Sequence, residues 1–137
     1  MIKTGGCQCG NVRYETTGEP MNQLFCYCTE CQKQTGSDKW FGVWFAYDNF
    51  KFTGIVPKTF TRKGSSGADV INHFCSECGT TICADITIGK FITVNGPSFD
   101  EDSHLAPKMA IFAASAPKWS ELPSKIPVFK LFPSDMG

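Results

Sequence analysis

Hydrophobic and polar positions alternate over residues 10–15. Val12 and Tyr14 fall on one face and Arg13 and Glu15 on the other, which predicts a strand that Gly18-Glu19-Pro20 ends. Leu24-Phe25 then lead into a cysteine-rich run. Thr29 is the expected cap of a short helix reaching Gln34, with Gly36 as its stop. Residues 40–47 are the most strand-like run of the chain, because aromatic and β-branched side chains suit a pleated surface. Asp48-Asn49 turns that run into a further strand at 50–53. Alternation continues at 59–62, and after the loop Gly64-Ser65-Ser66-Gly67 at 70–74. Residues 81–88 and 91–95 predict a hairpin around Gly89-Lys90, and 109–113 a late strand. The tail, with Pro117, Pro123, Pro127 and Pro133, reads as an irregular wrap anchored by Trp119, Ile126, Val128 and Phe129. No repeat or linker interrupts the pattern. The expectation is a single mainly β domain over 1–137, built from short antiparallel strands and one short helix.

Composition sharpens this picture in three ways. A chain of 137 residues buries roughly two thirds of its unfolded surface, enough for a genuine core. Its 12 Phe, 3 Trp and 3 Tyr favour packed sheets over helices. Thirteen basic and thirteen acidic residues cancel, so no whole-molecule field draws in nucleic acid or an acidic membrane. Residues 1–6 lack the apolar run of a signal peptide, and no window approaches ~18 apolar residues. The expected location is cytoplasmic, where eight cysteines are not disulfides; a secreted, disulfide-stapled domain is the alternative.

The cysteines fall into groups. Cys75 and Cys78, separated by two residues and followed by Gly79, form a turn that aims both sulfurs at one ion. A closed zinc site needs four ligands, and Cys7 and Cys9 supply the missing pair. Four buried free thiols would also pack, but packing does not explain C-x-C answered by a distant C-x-x-C-G. Cys26, Cys28 and Cys31 remain as a group of three, the ligand count of an open zinc site whose fourth position takes water or a thiolate. Three thiolates leave zinc with a net charge of about −1, better suited to binding an incoming thiol than to making hydroxide. A redox-active trio or an iron–sulfur cluster is the alternative, the latter needing a fourth ligand.

Cys83 lies in an apolar strand context and reads as core. His73, beside the metal turn, is a candidate donor to a thiolate, and His104 reads as a solvated loop residue. Lys33, Lys39, Arg62 and Lys63 read as surface charge, and are also the available cations for the carboxylates of an acidic thiol. The aromatic run at 40–45 reads as core and partly as pocket wall.

The blocks Gly6-Cys7-Gln8-Cys9-Gly10-Asn11-Val12, Cys26-Tyr27-Cys28-Thr29-Glu30-Cys31 with Gly36, and Phe74-Cys75-Ser76-Glu77-Cys78-Gly79-Thr80 resemble the signatures of the glutathione-dependent formaldehyde-activating enzyme family. Centromere protein V is among that family's relatives. Pro107, Trp119 and Leu122-Pro123 resemble its C-terminal part. The resemblance implies a tent-like, mainly β fold with two zinc ions. Cys7, Cys9, Cys75 and Cys78 would hold a structural ion; Cys26, Cys28 and Cys31 would hold a catalytic one. It implies a carbon–sulfur lyase that joins a small thiol such as glutathione to formaldehyde or a related small aldehyde, or runs the reverse. Tyr27 departs from the pattern, which often carries His there. Two rivals stand beside this reading. One is a thiol or formaldehyde carrier, or an interaction module, without turnover. The other is a methionine sulfoxide reductase, which would need Cys83 as a reactive non-ligand thiol.

Overall fold

A computed structural model describes residues 1–133. Ten strands and one α-helix follow one another as β1 (Ile2–Gly6), β2 (Arg13–Thr17), β3 (Asn22–Cys26), α1 (Thr29–Thr35), β4 (Trp40–Ala46), β5 (Phe50–Phe52), β6 (Lys58–Lys63), β7 (Asp69–Phe74), β8 (Thr81–Ile86), β9 (Phe91–Asn95) and β10 (Met109–Ile111). The chain is mainly β, as the alternation predicts. One sheet has three strands in the order β1-β2-β5, the other seven in the order β10-β3-β4-β9-β8-β7-β6. The strand pairs are antiparallel except β10, which lies parallel to β3.

β4 explains its own aromatic sequence. Val43 and Phe45 point into a core shared with Val12, Tyr14 of β2, Ile82 of β8 and Val94 of β9. Trp40 points to the opposite face, where it packs with Leu24, Cys26 and Ile111. A strand covered on both faces needs no polar alternation, so it reads as a continuous apolar run. The return through Asp48-Asn49 is not a hairpin. A 3-10 turn at Tyr47–Asn49 carries the chain out of the large sheet, and β5 pairs with β2 instead. Tyr14 locks this corner. Its ring stacks on Phe50 at 5.3 Å and meets Phe99 edge-on at 5.4 Å, and its hydroxyl lies 2.8 Å from that of Ser98.

Other elements depart from the sequence expectation. The strand expected from residue 10, β2, begins at Arg13, because residues 7–12 form a sulfur-centred turn. β1 and β3, polar or glycine-rich, carry no alternation signal and were not expected. The tail does wrap, but Trp119 is 71% exposed and Val128 39% exposed, so neither anchors it. Backbone bonds hold it instead: Ala110 donates to Pro127, Phe129 to Ala110 and Phe112 to Leu131, while Phe129 packs against the Leu24–Trp40 cluster.

Candidate metal centres

Two turns of the same design face each other. In the first, the Cys7 N–H donates to Val12 O, the Gly10 N–H to Cys7 O, and the Val12 N–H to Cys7 Sγ at 3.2 Å. In the second, the Cys75 N–H donates to Thr80 O, the Gly79 N–H to Cys75 O, and the Glu77 N–H to Cys75 Sγ at 3.4 Å. Gly10 and Gly79 both sit at positive φ, +84° and +78°, a region that glycine enters at no steric cost. Amide donation to a sulfur favours its charged form. Thr80 ties the two turns together: its hydroxyl accepts from the Gln8 N–H at 3.2 Å and lies 3.2 Å from Cys78 Sγ. That hydroxyl and neighbouring backbone N–H groups push Cys78 down to about 5.

Cys7, Cys9, Cys75 and Cys78 bring their sulfurs within 4.8 Å of one another. Cys7–Cys9 and Cys9–Cys75 sulfurs lie 3.5 and 3.7 Å apart. A tetrahedral ion with sulfur ligands at about 2.3 Å requires sulfurs about 3.8 Å apart, whereas a disulfide requires about 2 Å. The four fit a zinc ion and are not cross-linked.

Cys26, Cys28 and Cys31 form the second cluster, again within 4.8 Å. Cys26 ends β3, Cys28 caps α1 and Cys31 lies in its first turn. The helix was expected to start with Thr29 as its cap; the cap is Cys28, whose sulfur accepts the Cys31 N–H at 3.3 Å. Gly36 ends the helix in the left-handed conformation, as expected. The Tyr27 N–H donates to Ile111 O, and Gln32 Nε2 donates to Tyr27 O and Ser115 O, both at 2.9 Å, so the loop is clamped from both sides. Among the described residues no fourth His, Cys, Asp or Glu joins the trio. Its donor set fits a zinc ion with one open position. The neighbouring Cys26 and Cys31 thiols, helped by the Cys31 N–H and by Arg62, push Cys28 down to about 3. Cys26 and Cys31 move up in turn.

A groove of about 600 Å³ is lined by Phe25, Lys39, Trp40, Phe41, Thr80 and Thr81 among others. Trp40 both lines the groove and packs on Cys26. Its indole N–H donates to the Thr93 hydroxyl at 3.0 Å, which fixes the ring. The aromatic run is thus both core and wall. Gln34 links the helix to β8 through the Thr81 hydroxyl at 3.2 Å.

The remaining candidates separate. Cys83 is fully buried and burial pushes its thiol up, so it has neither the access nor the acidity of a reactive thiol. His73 rests against Phe52 at 5.5 Å and makes no hydrogen bond to a sulfur among the described residues. His104 is not a solvated loop residue. It meets Phe99 edge-on at 5.1 Å, and both ring nitrogens are buried without a partner among the described residues. Tyr27 is wholly buried, with Lys39 Nζ 5.4 Å from its ring centre.

A crystal structure of a Rhodobacter sphaeroides protein, a structural genomics target, shares this fold with a TM-score of 0.56 and 17% identity, over 71% of this chain and 87% of that one. None of the curated proteins compared with the chain matches it. The family model described as "Glutathione-dependent formaldehyde-activating enzyme" matches residues 2–115, a span that contains all seven clustered sulfurs. The chain belongs to the glutathione-dependent formaldehyde-activating enzyme family.

Proposed function

We propose that this protein is a zinc-dependent carbon–sulfur lyase that adds a small thiol such as glutathione to formaldehyde or a related small aldehyde, or splits the adduct. The observation that carries the reading is the open trio: three sulfurs gathered within 4.8 Å, no fourth ligand among the described residues, and an aromatic groove joined to them through Trp40. Cys7, Cys9, Cys75 and Cys78 would hold a structural ion and Cys26, Cys28 and Cys31 a second one. Bound there, zinc would supply Lewis acidity that lowers the pKa of a thiol at the open position.

The chain's own residues do the rest. Cys28 and Cys31 are fixed to one another by the helix cap, which would hold two of the ion's sulfur donors in place. Trp40, which packs on Cys26 and also lines the groove, would set an aromatic face beside the bound thiol and help confine a small aldehyde there. In the addition a carbon–sulfur bond forms as the carbonyl π bond breaks. The oxygen takes up the proton that the thiol gave up, so atoms and charge balance without any redox partner. Such adducts form readily unaided, so the required rate gain is small. The test compares the rate of adduct formation with zinc-loaded protein against the uncatalysed rate, for glutathione and formaldehyde. Acceleration that disappears in Cys28→Ser supports the proposal; no acceleration with any thiol–aldehyde pair defeats it.

A further inference from the structure

Four cations lie in or near the trio's part of the chain, and the structure separates them. Lys33 is exposed in the last turn of α1. Lys63 is exposed and paired with Asp69 at 2.7 Å. Lys39 is spent on Asp38, whose two oxygens lie 3.1 and 3.2 Å from its ammonium. Asp38 is itself clasped by Ser37 at 3.1 Å and Ser120 at 2.5 Å.

Arg62 differs from all three. It is the one residue of β6 that is not exposed. Its side chain, 21% exposed, reaches across to Glu30, which lies in the helix turn between Cys28 and Cys31. Its guanidinium is nonetheless unspent. The Glu30 carboxylate stops 3.9 Å from Nε, beyond hydrogen-bond reach, and Nε is buried with no hydrogen-bond partner among the described residues. The guanidinium makes one long contact, Nη1 to Lys63 O at 3.4 Å. A planar cation with free donors, screened from water, is built to take a carboxylate in two parallel bonds. Glu30 is 52% exposed and loosely held, so it can yield to a ligand carboxylate.

We infer that Arg62 is the carboxylate anchor of the thiol site and sets its preference for acidic thiols over neutral ones. This rests on the proposed function for the location of the thiol, but concerns recognition rather than turnover. The sulfur would sit at the trio's open position while a carboxylate of the same molecule displaces Glu30 from Arg62.

The test is equilibrium binding of two thiols to zinc-loaded protein, by titration calorimetry: glutathione, with two carboxylates, and 2-mercaptoethanol, with none. In wild type glutathione binds the tighter. Arg62→Gln weakens glutathione by about tenfold or more and changes 2-mercaptoethanol by less than about twofold, with zinc content unchanged. Arg62→Lys retains part of the preference, and Glu30→Gln strengthens glutathione binding by removing its competitor. If Arg62→Gln weakens both thiols by the same factor, Arg62 merely supports the ion, and the inference fails. It fails equally if neither thiol is affected, or if wild type shows no preference. Arg62-dependent glutathione binding without turnover would leave the anchor standing and defeat the lyase proposal instead.

Discussion

Cys28 has two roles that can be pulled apart by the choice of substitution. Its sulfur is one of three gathered in the second cluster, where it would ligate the proposed zinc ion, and it also caps a helix of only seven residues that buries none of them. Serine replaces the sulfur with an oxygen that caps as well or better, yet it is a poor zinc ligand beside thiolates. Alanine removes both roles. Losing a side-chain cap costs about 1 kcal/mol. For a chain of this length that corresponds to a melting temperature lower by about 3–5 °C. Both variants should hold one zinc per chain where wild type holds two, and both should lose any thiol–aldehyde activity. Cys28→Ala should then melt about 3–5 °C below Cys28→Ser, with zinc measured by atomic emission and unfolding by circular dichroism. Equal melting temperatures would refute the capping argument, and two zinc ions in Cys28→Ser would refute the ligand assignment.

The four-sulfur centre joins residues 7–9 to residues 75–78. Cys75→Ala or strong chelation should therefore unfold the protein at room temperature, since metal binding of this kind contributes on the order of 10 kcal/mol. Protein that stays folded and loses no cooperativity in circular dichroism would speak against a structural role. Ile82 is fully buried between the two sheets, so Ile82→Ala should cost about 2–5 kcal/mol by urea unfolding, and a cost under about 1 kcal/mol would show that the site collapses freely. Burial, with a smaller push from Lys3, holds His104 below its ordinary pKa of 6.5 against the opposing fields of Glu101, Asp102 and Glu19. The unfolded chain therefore takes up that proton first, and the His104 contribution to stability is present above pH 6.5 and lost as pH falls below it. Wild type should lose stability relative to His104→Gln between pH 7 and about 5.5, and parallel curves would contradict the burial assigned to this ring.

Much of the clustering of the sulfurs was legible because cysteine spacings announce themselves locally. A C-x-x-C-G turn fixes two sulfurs through its own backbone, and counting to four brings in Cys7 and Cys9 without any knowledge of topology. The strands at β4, β6, β7 and β9 were legible for a related reason, their side-chain chemistry matching a pleated surface within a few residues of chain. What was hidden depended on distant chain. Gly5 gives β1 no strand signal, yet a Cβ there would meet the Tyr14 hydroxyl at 2.3 Å, so close approach of β2 selects the glycine. The cap at Cys28 was hidden because Thr29 beside it is the commoner capping type. Thr80 is an ordinary threonine until Gln8 is beside it, and Arg62 is a surface cation until β6 lies next to α1. His104 read as solvated because its neighbours Asp100, Glu101 and Asp102 are acidic, while the ring itself turns inward onto Phe99.

X-ray absorption at the zinc edge, on wild type and on Cys28→Ser, tests the division of the sulfurs most directly. Wild type should show two ions per chain averaging three and a half sulfur neighbours at about 2.3 Å, with the rest of the shell made of lighter atoms. Cys28→Ser should leave one ion with four sulfurs. A single ion in wild type, or a variant whose remaining zinc has fewer than four sulfurs, would contradict it.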